Sequence, residues 1–287
     1  MEKQQKRKVF LGVLIGLAAV ALAVVLGLIL TQMQSPEDGG EITVSDVYEG
    51  QREIPRFRLE QNHYDPEKFK VMDGYLQYDD PAARLGVDVS EYQGEIDWEK
   101  VKAAGMDFAM LRIGYRGMTQ GLLNPDEHFE RNFTGATDAG LFVGAYFFSQ
   151  AVTEEEAVEE AEYVLKLLGG RKLAYPVVFD WEIPDPSVED QEQFRVHGAT
   201  GEQITRCSVA FCERIKEAGY TPMVYTNKHL AYEFFDMSQW KDYDLWYAEY
   251  QEEPSLYYDF RMWQYASDGT VPGIEGGVDL NICFKPY

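Results

Sequence analysis

Apolar residues fall into two patterns along this chain. One is a single unbroken run, Val9–Leu30, "VFLGVLIGLAAVALAVVLGLIL", without a charge. The other, from Leu85 onward, is a series of short β-favouring runs separated by amphipathic stretches. The long run has about 22 residues, or roughly 33 Å as a helix, enough to cross a bilayer. Lys3, Lys6, Arg7 and Lys8 precede it, and "TQMQSPEDGG" follows without a convincing cleavage site. It therefore reads as an uncleaved signal-anchor, with a cleaved signal peptide as the alternative. The basic flank, residues 1–8, stays in the cytoplasm and everything after Leu30 faces outward.

Residues 31–63 are polar and Pro/Gly-bearing, and read as an extracellular spacer. Residues 64–84 carry more aromatics and read as a lead-in that packs on the main domain, residues 85–287. There the pattern alternates: "LGVDVSEY", "FAMLRIGY", "LFVGAYFFS", "AYPVVFDWE" and "TPMVYTN" are strands. Between and after them "DWEKVKAAG", "NPDEHFERNFTGATDAG", "TEEEAVEEAEYVLKLLGG", "TGEQITRCSVAFCERIKEAG" and the shorter "KHLAYEFFD" are helical. Pro125 sits near the start of the second of these helices, and Thr200 caps the fourth. Five strand–helix units predict parallel strands with helical crossovers. "YDLWYAEY", "FRMWQYAS" and "GGVDLNICF" then add three strands joined by connections too short for full helices. The fold class is α/β: a modified (β/α) barrel of five β/α units followed by three strands. An open doubly wound sheet is the competitor, and no Gly-rich phosphate loop supports it.

Charge narrows the partners. The formal net charge is -23, and the outward part is more acidic still, because four basic residues lie in the inner flank. Such a surface does not seek nucleic acid. Three cysteines, Cys207, Cys212 and Cys283, make no disulfide framework and read as buried free thiols. No metal-ligand spacing and no cofactor motif is present in the sequence. Nothing in it fixes the oligomeric state.

The chemistry concentrates in "AYPVVFDWEIPDP". Residues i and i+2 of a strand share a face, so Asp180 and Glu182 project together while Trp181 turns to the other side. Asp88 in "GVDVSEYQG" and Asp279 in "GGVDLN" are also acids embedded in apolar strands. At the C-terminal mouth of a barrel, where sites are built, four acids from three strands would meet. Crowding and desolvation raise at least one carboxyl pKa, placing a proton donor beside ionised partners. That division suits glycosidic bond cleavage. A divalent metal is the alternative use of such a set. Tyr92, Tyr115, Tyr146, Tyr225, Tyr247 and Trp263, with Trp181 between the acids, are candidate sugar contacts, having flat faces and polar edges.

From about Leu85 to Phe284 the chain resembles the glycoside hydrolase family 25 muramidases. The resemblance rests, in order, on "GVDVSEYQGEIDW", "FAMLRIGYRG", "NPDEHFERNFTGATDAGLFVGAYFFS", "YPVVFDWE", "PMVYTN", "DLWYAEY" and "MWQYASDGTVPGIEGGVDLN". It implies a barrel of five β/α units and three further strands, and hydrolysis of the β-1,4 bond between N-acetylmuramic acid and N-acetylglucosamine in peptidoglycan. It further implies Glu182 as general acid, Asp180 assisting the substrate's 2-acetamido group, and Asp88 and Asp279 completing the acid set. With the anchor, the expectation is a single-pass enzyme of the bacterial cell membrane, its catalytic domain outside, remodelling nearby wall. A glycan-gripping barrel without activity, or an enzyme for a chitin-like chain, is the alternative.

Overall fold

The computed structural model describes residues 39–184, 187–188 and 190–287. The expected span Val9–Leu30 lies outside the described residues, and among those no helix is long and apolar enough to cross a membrane. Two antiparallel hairpins come first: β1 (Glu41–Asp46) with β2 (Gly50–Pro55), and β3 (Phe69–Met72) with β4 (Tyr75–Tyr78). The apolar runs then become β5 (Arg84–Val89), β6 (Phe108–Arg116), β7 (Leu123–Pro125), β8 (Phe142–Ser149), β9 (Val177–Trp181), β10 (Pro222–Asn227), β11 (Asp244–Ala248), β12 (Met262–Gly269) and β13 (Val278–Cys283). Eight of them close into a barrel in the order β5-β13-β12-β11-β10-β9-β8-β6, sealed by pairing of β5 with β6. Neighbours run parallel from β5 through β6 and on to β12, but β13 is antiparallel to both β12 and β5. The stretch between β12 and β13 is too short for the crossover that a parallel return needs.

Among the described residues four α-helices cover the outside of the barrel: α1 (Trp98–Ala103), α2 (Phe129–Asp138), α3 (Glu154–Leu168) and α4 (Gly201–Glu217). The Thr200 side chain accepts from Gln203 N and caps α4 as expected. Helix α2 starts later than its sequence suggests. Pro125 belongs instead to β7, a short antiparallel strand on β6, where a missing N–H is tolerated at an edge. The fifth crossover is reduced to a π-helical turn, Leu230–Phe234, and a 3-10 turn, Met237–Trp240. All three cysteines are buried and free.

Strand parity fills the barrel. Phe108, Met110, Val178, Met223, Met262 and Cys283 form a buried cluster inside it. Two glycines make room for the larger members. A Cβ on Gly86 would stand 2.5 Å from the Phe108 ring, and one on Gly144 2.6 Å from the Met110 side chain. One layer further up, the same parity brings in Asp88, Tyr146, Asp180, Gln264 and Asn281.

Among the described residues no helix covers the outer faces of β11–β13, and residues 54–78 take that place. Tyr64 stacks on Phe284 with centroids 3.7 Å apart and Phe69 meets Trp263 edge-on at 5.4 Å. Phe57 packs on Tyr258, whose hydroxyl donates to the Pro55 carbonyl, and Ile54 is fully buried. Residues 41–63 therefore depart from the expected spacer: a hairpin occupies Glu41–Pro55. Its strands, "EITVSD" and "GQREIP", are polar enough to read as linker because one face of the hairpin stays wet.

Candidate active site

The four acids meet. Asp88 and Asp279 are direct cross-strand partners in the β5–β13 pair, and Asp180 and Glu182 follow at the end of β9. Together they line a cleft of ≈ 260 Å³ at the C-terminal ends of the parallel strands. Asp279 reaches it differently from the other three. It lies at the start of its strand, because β13 runs the opposite way.

Asp88 is the most firmly held. Its Oδ2 accepts from Asn281 Nδ2 at 2.7 Å and from Gln264 Nε2 at 2.9 Å. Each amide is in turn oriented. Trp246 Nε1 donates to Asn281 Oδ1 at 2.8 Å, while the hydroxyls of Tyr250 and Tyr225 donate to Gln264 Oε1 at 2.9 and 3.2 Å. With its donors aimed at Asp88, this frame favours the ionised carboxylate.

Burial works against every charge here. It is the largest influence on Asp88, whose pKa rises to about 6 against the pull of the two amides. Asp279 rises to about 8, first through burial and then through the Asp88 charge. Asp180 is pushed well above the carboxylate range by burial and then by Glu182, with Arg112 opposing. Glu182 is raised by burial and then by Asp88, with the neighbouring Asp180 side chain working the other way. Among the described residues the buried Asp180 Oδ1 has no hydrogen-bond partner.

Arg112 closes one side. Its Nε bonds Asp126 at 2.8 Å and its Nη2 lies 3.1 Å from Glu91. Its guanidinium carbon stands 4.8 Å from the Tyr92 ring centroid and 5.1 Å from that of Tyr115. A larger hollow, ≈ 380 Å³, opens near the starts of β11 and β12. Two of its three acids, Asp244 and Asp259, are ion-paired with Arg261 and Lys285, and basic residues outnumber acids in its lining.

The raised pKa of Asp279 has a thermodynamic consequence. Its folded value, about 8, lies above the unfolded value of roughly 3.9, so between the two the folded state holds the extra proton. Stability from this group is therefore present at low pH and lost as pH rises. Between pH 5 and pH 8 the melting temperature of the wild type should fall more than that of Asp279→Asn. Equal slopes in scanning calorimetry would remove Asp279 from the buried set.

The aromatic expectations divide by strand parity. Tyr92, Tyr146 and Tyr225 line the cleft. Tyr115 is absent from the lining and lies against Arg112. Trp181 faces outward and stacks on Phe234 at 5.1 Å. Tyr247 and Trp263 are fully buried on the outer side, against Phe260 and Phe69 respectively. These three are corrections: their inward neighbours Glu182, Trp246 and Gln264 line the cleft instead. Sequence reasoning missed Trp246, Tyr250, Gln264, Asn281 and Arg112. Asn281 had a signal, being two residues beyond Asp279 on the same face.

Carboxyls of divided protonation at the mouth of a β/α barrel, ringed by aromatic faces, define a glycoside hydrolase site. The sequence profile of the glycosyl hydrolases family 25 matches residues 87–274, and the chain belongs to that family. It is 27% identical over 197 residues to an autolytic lysozyme of Clostridium acetobutylicum, a match spanning 68% of this chain and 54% of that protein. It is 28% identical over 218 residues to lysozyme M1 of Streptomyces globisporus, spanning 70% of this chain and 68% of that one. Its fold superposes on a family 25 glycosyl hydrolase from Bacillus anthracis with a TM-score of 0.58 at 24% identity, over 80% of this chain and 94% of the other.

Proposed function

We propose that the chain is an N-acetylmuramidase that cleaves the β-1,4 bond between N-acetylmuramic acid and N-acetylglucosamine in peptidoglycan. The observation that carries this reading is the pairing of Asp180 and Glu182 on one face, with Asp180 Oδ1 buried and unpartnered among the described residues. A buried acceptor without a donor is costly, by about 1–3 kcal/mol, and the N–H of a 2-acetamido group satisfies it. Held there, the acetamido carbonyl oxygen attacks the anomeric carbon as the bond to the leaving oxygen breaks. Glu182 gives its proton to that oxygen. Water then opens the cyclic intermediate, and the Glu182 carboxylate takes the water's proton. Asp88, fixed by two amides, supplies the negative charge that steadies the positive sugar. Substrate assistance of this kind removes the need for a carboxylate nucleophile.

The lysozyme names of the relatives favour a muramyl substrate over a chitin-like one. The charge-free run Val9–Leu30 behind a basic flank favours a membrane tether, with the enzyme remodelling wall near its own membrane. Fractionation should leave the protein with the membrane; most of it free in the medium would overturn the tether. For the activity, purified peptidoglycan is digested with the full chain, reduced with borohydride and examined by mass spectrometry. New reduced muramic acid ends are expected. Reduced glucosamine ends would mean that the other bond is cut, and no new ends would favour a glycan-binding barrel.

A further inference from the structure

The segment ahead of the family match reaches the rim of the cleft. The turn between β1 and β2 is docked, through one cation, onto residues that follow β10 and β11. Lys228, next after β10, places Nζ 2.9 Å from Asp46, 3.1 Å from Glu49 and 2.7 Å from Glu249. Asp46 also accepts from the backbone N–H groups of Tyr48 and Glu49, which shapes the turn. The Tyr48 hydroxyl donates to the Glu253 carbonyl and accepts from the Glu253 N–H, both at 3.0 Å.

These contacts bracket Tyr250. Glu249 precedes it and is further held by the N–H and hydroxyl of Ser255. Glu253 follows it. The Tyr250 side chain lines the cleft and donates to Gln264, which donates to Asp88. Three carboxylates from the turn and the β11–β12 loop converge on this ammonium; Glu49 is also paired with Arg52, so without Lys228 the repulsion falls between Asp46 and Glu249.

We infer that Lys228 and the β1–β2 turn form a strut that positions Tyr250 and, through Gln264, Asp88. Residues 46–49 are then positioning residues for the reaction, although they lie outside residues 87–274 matched to the family. The inference rests on the muramidase reading above. It makes Tyr250 the point where a loop contact becomes a catalytic effect, because small displacements of aligned groups cost large factors in rate.

The test is a double-mutant cycle in the full chain, read as kcat and KM on soluble peptidoglycan fragments. Lys228→Met should lower kcat about tenfold with KM changed less than about threefold, and Tyr250→Phe should lower kcat about tenfold. The double variant should stay near tenfold, because both changes act through one hydroxyl. Lys228→Arg should restore most of the loss. Full kcat in Lys228→Met, or about a hundredfold loss in the double variant, would overturn the strut. If Lys228→Met does not fold, Tyr48→Phe replaces it. That change removes one partly exposed hydroxyl, and its loss of about threefold should vanish in the Tyr250→Phe background. A separate multiplicative loss would again overturn the proposal. An inactive wild type would refute the muramidase reading, and the strut's catalytic role with it.

Discussion

Glu182→Gln should reduce peptidoglycan turnover by about a thousandfold while binding of a soluble glycan fragment changes less than about threefold. Gln keeps the size and the hydrogen-bonding reach of the side chain but has no proton to give. On the proposed mechanism the leaving sugar oxygen must then depart unprotonated. The variant is informative in a second way. Burial, then the Glu182 charge, raises Asp180, so removing the charge lets Asp180 ionise more readily. On the proposed mechanism Asp180 then holds the acetamido group at least as well as before, and the loss should fall on kcat and not on KM. Single-turnover kinetics with calorimetric binding measures both. Activity within tenfold of wild type would move the proton donor elsewhere, with Asp279 next in line by its pKa of about 8.

A chain beginning at Arg84 should fail to fold, although it contains the whole of the family match. Removing the N-terminal segment strips the cover from β11–β13. Trp263, Tyr258, Phe260 and Phe284 are all essentially buried, and each contributes about 1.5–3 kcal/mol through that burial. Losing even half of it approaches the net stability of an ordinary domain, about 5–15 kcal/mol. The truncated chain should bind a hydrophobic dye and show no cooperative melt. A melting temperature within about 5 °C of the full chain would show that the hairpins are decoration.

What the sequence disclosed and what it withheld follow from the same alternation of strand faces. In "VVFDWE" the two acids set the phase and turn Trp181 outward, so its place among the candidate sugar contacts was at odds with that phase from the start. In "DLWYAEY" and "MWQYAS" no acid sits in mid-strand to set the phase. Tyr247 and Trp263 were then one residue out of step with Trp246 and Gln264. Gln264 itself was a clue, since an amide in the middle of a buried strand needs partners. The register that brings Asn281 beside Asp88 is a long-range fact, set by barrel closure. The N-terminal hairpins were illegible for a different reason: their strands bury little, and their value comes from a surface made about two hundred residues later in the chain.

The reversed last strand has a consequence for the newly made chain. Asp88 receives its amide from Asn281, 193 residues downstream, and faces Asp279 on the same strand. Until β13 has emerged and paired, β5 lacks one neighbour, the barrel stays open, and two of the four acids have no fixed place. Contacts this distant in sequence form slowly and late. A chain still lacking β13 therefore has an incomplete acid set, and glycan hydrolysis is expected only once that strand has been delivered and paired.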